Sequence, residues 1–350
     1  MSSATEQPKP PLRPARRSLP TAPRVPAAAP FPEARLFPLV GGPAEDVVVD
    51  ADGRHLLVGV EDGGILRIDP ATGAFRRIAD TGGRPLGLLP VRDGSLLVCD
   101  ADRGLLRVTD LPAPGDASTG TVTVLVDEAD GVPLRFCSNV TEDTDGTLWI
   151  TQSSTRFSFP HYMGAVLEHR GSGRLLRRDP DGTVTVVADE MDFPNGIALA
   201  PDGQSVFMVE TTTYSVVRRW IHGPRAGEVD RPVTNHAGFP DNLSEFRDCS
   251  GTDTGTRAWF ADAQQRSAPL DLLGRLPGVI ATAAWALPDA LLPQPAGVVQ
   301  ATAVDADGAT VRTVRGTWPG FSNATGAAEL DGVLYLVSKD HAALLAVPLD

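Results

Sequence analysis

A repeat constrains this chain more than anything else in it. From residue 43 onward an apolar strand, a turn containing Asp-Gly and a second apolar strand recur together. The copies are EDVVVDADGRHLLVGV (45–60), LGLLPVRDGSLLVCD (86–100), NVTEDTDGTLWIT (139–151), NGIALAPDGQSVFMVE (195–210) and AAELDGVLYLVS (327–338). Asp-Gly between apolar runs is a strong hairpin signal, because glycine accepts the positive φ that tight turns impose. A degenerate copy with a longer turn, NLSEFRDCSGTDTGTRAWFADA (242–263), brings the count to six. Several units continue into an outer hairpin, such as ILRIDPATGAFRRIAD (65–80) and LLRRDPDGTVTVVAD (175–189). Four strands per unit at this spacing is the signature of a β-propeller.

The last unit supplies three strands, while ARLFPLV (34–40) belongs to no unit. Pairing it into the last blade closes the ring and removes an open sheet edge. The expectation is an all-β, six-bladed β-propeller over residues 31–350. Residues 267–295 interrupt it with helix-like apolar spacing at Leu272, Leu273, Leu276 and Ile280, punctuated by Pro277 and Pro288. They read as a helical cap inserted in blade five and packed on one face. The alternative is a mobile lid or membrane-surface contact, although the segment's low charge fits burial better than a basic amphipathic anchor. Residues 1–30 hold eight prolines with Arg13, Arg16, Arg17 and Arg24, and read as a disordered leader that contributes no core.

A net charge of −13 and a pI of about 4.9 argue against a phosphate-tracking surface, so nucleic acid is not an expected partner. Lys9 and Lys339 are the only lysines. Cys99, Cys137 and Cys249 are sparse and lack metal-ligand spacing, which points to a reduced, cytoplasmic setting and leaves one bridge open. No stretch approaches the ~18 to 20 apolar residues of a transmembrane segment. The expected partner is a small-molecule substrate, bound by a monomer or weak oligomer.

Inner strands of a propeller line its central channel, so equivalent strand starts face one another. Aligning the repeats at those starts gives Glu45, Pro85-Leu86, Ser138-Asn139, Asn195, Asp241-Asn242 and Thr325. Each residue alone is ordinary turn or hairpin chemistry. Together Glu45, Ser138, Asn139, Asn195, Asp241 and Asn242 form a hard-oxygen set that suits Ca²⁺, with Mg²⁺ or Mn²⁺ as alternatives. A metal would also give Asp241, in the apolar setting of GFPDN (238–242), the partner a carboxylate near a core needs.

GPAEDVVVDADG, FPNGIALAPDG, GFPDN and DGVLYLVS resemble the calcium-dependent propeller superfamily of gluconolactonases, paraoxonases and strictosidine-synthase-like proteins, closest to the bacterial strictosidine-synthase-like branch. The resemblance implies core metal ligands at Glu45, Asn195 and Asp241. It also marks departures. FCSNV places Ser138 where a further Asn ligand is usual, with Asn139 next to it, and Gln152 in ITQSS replaces an Asp. The glutamate of amine condensation would align near Thr325 and the paraoxonase-type His near Leu86, so neither specialist chemistry carries over.

The expected activity is metal-dependent hydrolysis of a lactone or ester at the channel mouth. Asp241 is the candidate base, as the resemblance implies. His161 and His236 are rivals with suitable ordinary pKa values, although a surface-loop histidine is the plainer account of each. Arg156, Phe157, Phe159 and Tyr162 follow a blade-three strand, where substrate contacts are natural. Two other classes stay open: a non-hydrolytic, cyclase-like biosynthetic enzyme, and a binding propeller without chemistry, though the chain lacks the Gly-His and Trp-Asp repeat signature of WD scaffolds.

Overall fold

The Asp-Gly turns close as their glycines dictate. Gly53, Gly94, Gly146, Gly203 and Gly332 all have φ between 67 and 87°. In the first four the glycine N–H donates to the carbonyl three residues back, at 2.8 to 3.1 Å. Each preceding carboxylate then accepts the N–H two residues on, at 2.8 Å for Asp52 and 2.9 Å for Asp93, Asp145 and Asp202. The aspartate therefore locks the turn that the glycine permits.

A computed structural model describes residues 8–249, 255–287 and 297–349. It is a six-bladed β-propeller. Blade one comprises Ala44–Val49, Leu56–Val60, Gly64–Ile68 and Phe75–Asp80. Blade two follows with Pro85–Pro90, Leu96–Asp100, Gly104–Thr109 and Thr121–Val126. Blade three is Cys137–Glu142, Leu148–Gln152, Gly173–Arg178 and Val184–Met191, and blade four is Pro194–Leu199, Ser205–Glu210, Ser215–Trp220 and Val229–Val233. Blade five contains Gly238–Leu243, Thr256–Gln265, Val299–Asp305 and Thr310–Thr317. Ala324–Leu330, Val333–Ser338 and His341–Pro348 make up most of blade six, and Arg35–Pro38 completes it, antiparallel, with Arg35 opposite Ala346. Ring closure by the unassigned N-terminal strand matches the sequence reading.

Apolar residues pack between neighbouring blades: Val47 and Val58 of blade one share a cluster with Val337 and Leu344 of blade six. The second strands of blades one to four are buried along their whole length. The outer strands Phe75–Asp80 and Thr121–Val126 are partly exposed, as strands at the wet rim of a propeller are.

Among the described residues three short α-helices lie on the face where the inner strands begin. The first, α1 (Tyr162–Glu168), follows blade three's second strand and was not expected from sequence. The expected cap supplies α2 (Ala268–Leu273) and α3 (Gly278–Trp285), while residues 288–295 of it lie outside the described residues. Phe157, Leu167 and Trp285 pack with Leu12, Leu270 and Leu273 into one cluster that binds these helices together.

Leu12 belongs to the segment read as a leader without core, and that reading fails for residues 8–30. Leu19 is buried against Val166, Tyr214 and Phe239, and Ala29–Pro30 adds a parallel edge strand to blade five. The physical reason lies in the prolines, which leave an extended chain with unpaired carbonyls. Arginines of the propeller capture them: Arg156 binds the Pro11 carbonyl at 2.9 Å, Arg275 that of Leu19 at 2.8 Å, Arg266 that of Pro20 at 2.6 Å and Arg315 that of Pro26 at 3.0 Å. The segment is a strap across the cap. Residues 1–7 lie outside the described residues. The three cysteines are free thiols, and no described helix is long and apolar enough to cross a membrane.

Candidate functional site

Inner-strand starts from different blades converge beneath α1. Glu45, Ser138, Asn195, Asp241 and Asn242 line one side of a cavity of about 60 Å³. Tyr162, Met163 and Val166 of α1 face them, and Phe136, Phe159, Phe193 and Phe239 complete walls that are mostly apolar. Phe136 and Phe193 each stand just before an inner strand in a left-handed conformation, φ 55° and 58°. Their rings meet edge to face with centroids 5.4 Å apart. A left-handed phenylalanine costs of order 1 to 3 kcal/mol, and such strain persists where packing over-determines it.

The polar groups form one network. The Asn195 carboxamide donates to an Asp241 carboxylate oxygen at 2.5 Å. Asn139 donates to the Asn242 side-chain oxygen at 2.6 Å and to that of Asn195 at 3.4 Å, and Asn242 donates to the Glu45 carbonyl at 2.8 Å. Thr325, from blade six, donates to the same carbonyl at 2.8 Å. Asn139 thus lies beneath the others and faces the far side of the channel. Ser138 lines the cavity, but its hydroxyl is shared with Ser153 at 2.5 Å.

Burial raises the Glu45 carboxyl to about 7, against the partial relief of Arg84 and Lys339. Burial also pushes Asp241 well above the carboxylate range, and Glu45 pushes it in the same direction. Two acids are therefore held where neither has a matched ion-pair partner. Lys339 lines the same cavity; its ammonium donates to Asp340 at 2.7 Å and lies 5.3 Å from the Tyr162 ring centroid. Burial acts to lower its pKa, but Tyr162, Asp340 and Glu45 together raise it, so it stays charged.

Among the described residues no three His, Cys, Asp or Glu side chains gather to hold a metal. A cation at this point would rest on two carboxylates and on carboxamide oxygens. That donor set, all oxygen with two carboxyl groups that a cation would hold ionised, fits a hard divalent ion. Rotating the Asn195 carboxamide would turn its oxygen to the side where its nitrogen now meets Asp241.

The remaining expectations fare differently. Phe159 and Tyr162 do line the cavity. Phe157 does not: it is 2% exposed and packs edge to face on Trp285. Arg156 is likewise outside the lining, ion-paired at 2.8 Å with the fully buried Glu168. His161 is buried against Trp285 with Ser158 at 3.3 Å. His236 bonds Asp262 at 2.8 Å, and Gln300 holds the other oxygen of that carboxylate at 2.6 Å. Neither histidine lines the cavity. Gln152 is structural, accepting Arg174 at 2.7 and 2.9 Å and donating to the Pro133 and Arg135 carbonyls.

Sequence reasoning missed Lys339 and the other three wall phenylalanines, Phe136, Phe193 and Phe239. A signal existed for both. Phe136 and Phe193 hold the same register in the repeats FCSN and FPNG, and Lys339 is one of two lysines, placed just after a blade's second strand, which ends beside the start of the inner one.

The strictosidine synthase family model matches residues 139–224. The chain is 33% identical over 267 residues to strictosidine synthase-like protein 10 of Arabidopsis thaliana, covering 66% of this chain and 69% of that protein. It is 30% identical over 239 residues to strictosidine synthase-like protein 3 of the same plant, spanning 59% of that protein's length and 62% of its own. A gluconolactonase from Xanthomonas campestris shares the fold with a TM-score of 0.60 at 18% identity, over 97% of this chain and 99% of the other. Regucalcin from Agrobacterium tumefaciens, a calcium-binding protein, does so with a TM-score of 0.59 at 16% identity, over 93% and 96%. On these matches the chain belongs to the strictosidine synthase-like family of six-bladed β-propellers.

Proposed function

We propose that this propeller is a hydrolase of lactones or esters that works with a hard divalent cation, Ca²⁺ in the first instance. One observation carries the reading: two carboxylates from different blades, the buried Glu45 and the half-buried Asp241, meet on one side of an apolar cavity without a matched ion-pair partner. Glu45, Asn195 and Asp241 are the residues that would hold the cation, with Asn242 and Ser138 beside them. When bound, such an ion polarises an ester carbonyl and stabilises the charge that develops on its oxygen. Asp241 lines the cavity and takes the proton of the attacking water. Phe136, Phe159, Phe193 and Phe239 hold the acyl portion and exclude bulk water, and Asn139 and Thr325 keep the ligand residues in place from below. The gluconolactonase and calcium-binding regucalcin named above support this reading by fold.

The test is a panel of lactones and aryl esters assayed with Ca²⁺ and with chelator, beside elemental analysis of the purified protein. Turnover that chelator abolishes supports the proposal. Absence of metal, with no turnover and a melting curve indifferent to chelator, leaves a binding propeller. The enclosed apolar walls favour a second reading, a non-hydrolytic cyclisation, since water is poorly accommodated there. Metal binding without hydrolysis of any panel member supports that reading instead.

A further inference from the structure

The cap turns its least water-compatible side chains outward. Val279 is 73% exposed, Leu272 53%, Leu287 42% and Ile280 39%. No charged residue occurs from Leu276 to Leu287, so α3 meets solvent without the polar face that water-facing helices carry. The strap supplies the charge the cap lacks. Residues 8–30 contain Lys9, Arg13, Arg16, Arg17 and Arg24 and no Asp or Glu, in a chain of net charge −13. Contacts place this charge at the edge of the apolar side chains. The Lys9 ammonium donates to the Leu287 carbonyl at 3.2 Å, Gly278 abuts Pro14, and the Arg17 N–H donates to the Gly274 carbonyl at 2.7 Å. Arg13, Arg16 and Arg275 are exposed. The nearby acids among the described residues are already committed: Glu168 to Arg156, Asp192 to Arg17 and Asp271 to Arg266.

We infer that this composite face docks on an anionic lipid bilayer. Leu272, Val279, Ile280 and Leu287 enter the headgroup boundary, and Arg13, Arg16 and Arg275 meet the lipid phosphates and carboxylates. Apolar side chains bordered by cations are the pattern of interfacial binding. The same border disfavours a second copy of this chain, because a two-fold contact would set one basic strap against another.

The full-length protein is sedimented with vesicles of phosphatidylcholine alone or mixed with phosphatidylserine. It is expected to pellet with the mixed vesicles, to be released by high salt as charges are screened, and to ignore phosphatidylcholine alone. Arg13→Gln and Arg16→Gln should each weaken partitioning about fivefold, the equivalent of ~1 kcal/mol per basic side chain near the surface. Val279→Asp should abolish binding and keep the wild-type melting curve, since Val279 is largely exposed. Failure of the folded wild type to pellet with mixed vesicles overturns the inference, as does pelleting that none of the variants weakens. A dimer in light scattering that Val279→Asp dissociates also overturns it, and assigns the face to a second copy.

Discussion

Both ends of the central channel hold acids withdrawn from water, but only the far end bonds one of them to a buried arginine. At the far end Asp46 accepts the N–H groups of Val47 at 2.8 Å and Leu88 at 3.0 Å. Glu329 receives Arg257 at 2.5 and 2.7 Å and the Trp259 indole at 2.7 Å. Burial pushes Glu329 up, yet those bonds outweigh it and hold the carboxyl below its ordinary range. Glu245 accepts the Thr141 hydroxyl at 2.8 Å. These acids line a roomy cavity of about 360 Å³ and each has its own donor. Under the cap the space is about 60 Å³, and Glu45 adds to the cost of ionising Asp241. Structural acids arrive with partners built in, whereas a binding site leaves the partner to be supplied. Acid count would not separate the ends; the arginine bonded directly to Glu329 does.

The sharpest way to break this comparison is at Asp241. Asp241→Asn keeps the size and a carbonyl oxygen but removes the negative charge and the base. Hydrolysis should fall by ~10² to 10⁴, the usual cost of losing a general base, and further if metal is lost. The variant should also melt higher than wild type in chelator, because a buried like-charge pair is gone. If Asp241→Asn keeps its rate and metal while His161→Ala is inactive, the base is misassigned.

At the far end the same kind of change should act on stability alone. Glu329→Gln removes the carboxylate that accepts two bonds from Arg257, itself 1% exposed, and breaking a buried pair this way costs about 3 to 5 kcal/mol. Denaturant titration reads that loss, and turnover per folded molecule should be unchanged. A rate loss comparable to that of Asp241→Asn would join the two ends into one functional unit.

A third, smaller effect concerns pH. Burial raises Glu245 from 4.5 to about 7. Since the folded value exceeds the unfolded one, the stabilisation is complete below pH ~4.5 and is lost as pH climbs through ~7, by about 3 kcal/mol. Glu245→Gln keeps an oxygen for the Thr141 hydroxyl and removes the titration. It should match the wild type near pH 4 and exceed it near pH 8. Parallel stability curves for the two proteins across that range would show that Glu245 does not titrate there.

How much of this was legible in the sequence follows from distance along the chain. Asp-Gly turns are local, so Gly53 or Gly203 could be read directly, and blade count and ring closure followed from counting strands. The oxygens at Glu45, Asn195 and Asp241 were legible because repetition places equivalent positions on one axis. The strap was not. Its anchors pair Arg156 with Pro11 and Arg315 with Pro26, contacts 145 and 289 residues apart, and carbonyl capture by arginine leaves no local pattern. Loop position also failed to say where side chains point. Phe157 and Phe159 are two residues apart, yet one is cap core and the other cavity wall.

The smallest predicted effect sharpens the near end of the comparison. Lys339 is the one cation lining that cavity among the described residues, and its charge relieves both Glu45 and Asp241. It is a partial partner only, because its direct hydrogen bond goes to Asp340. A divalent ion at the carboxylates would be repelled by it. Lys339→Met retains the aliphatic stem against Tyr162 and removes the charge, so Ca²⁺ affinity should rise about five- to tenfold, in line with ~1 kcal/mol for a screened charge a few ångströms away. In chelator the same variant should be less stable, since the acid pair loses its relief. Calorimetric titration of wild type and variant reads the first effect and thermal melting the second. An unchanged affinity with an unchanged apo melting temperature would make Lys339 a packing residue and remove it from the site.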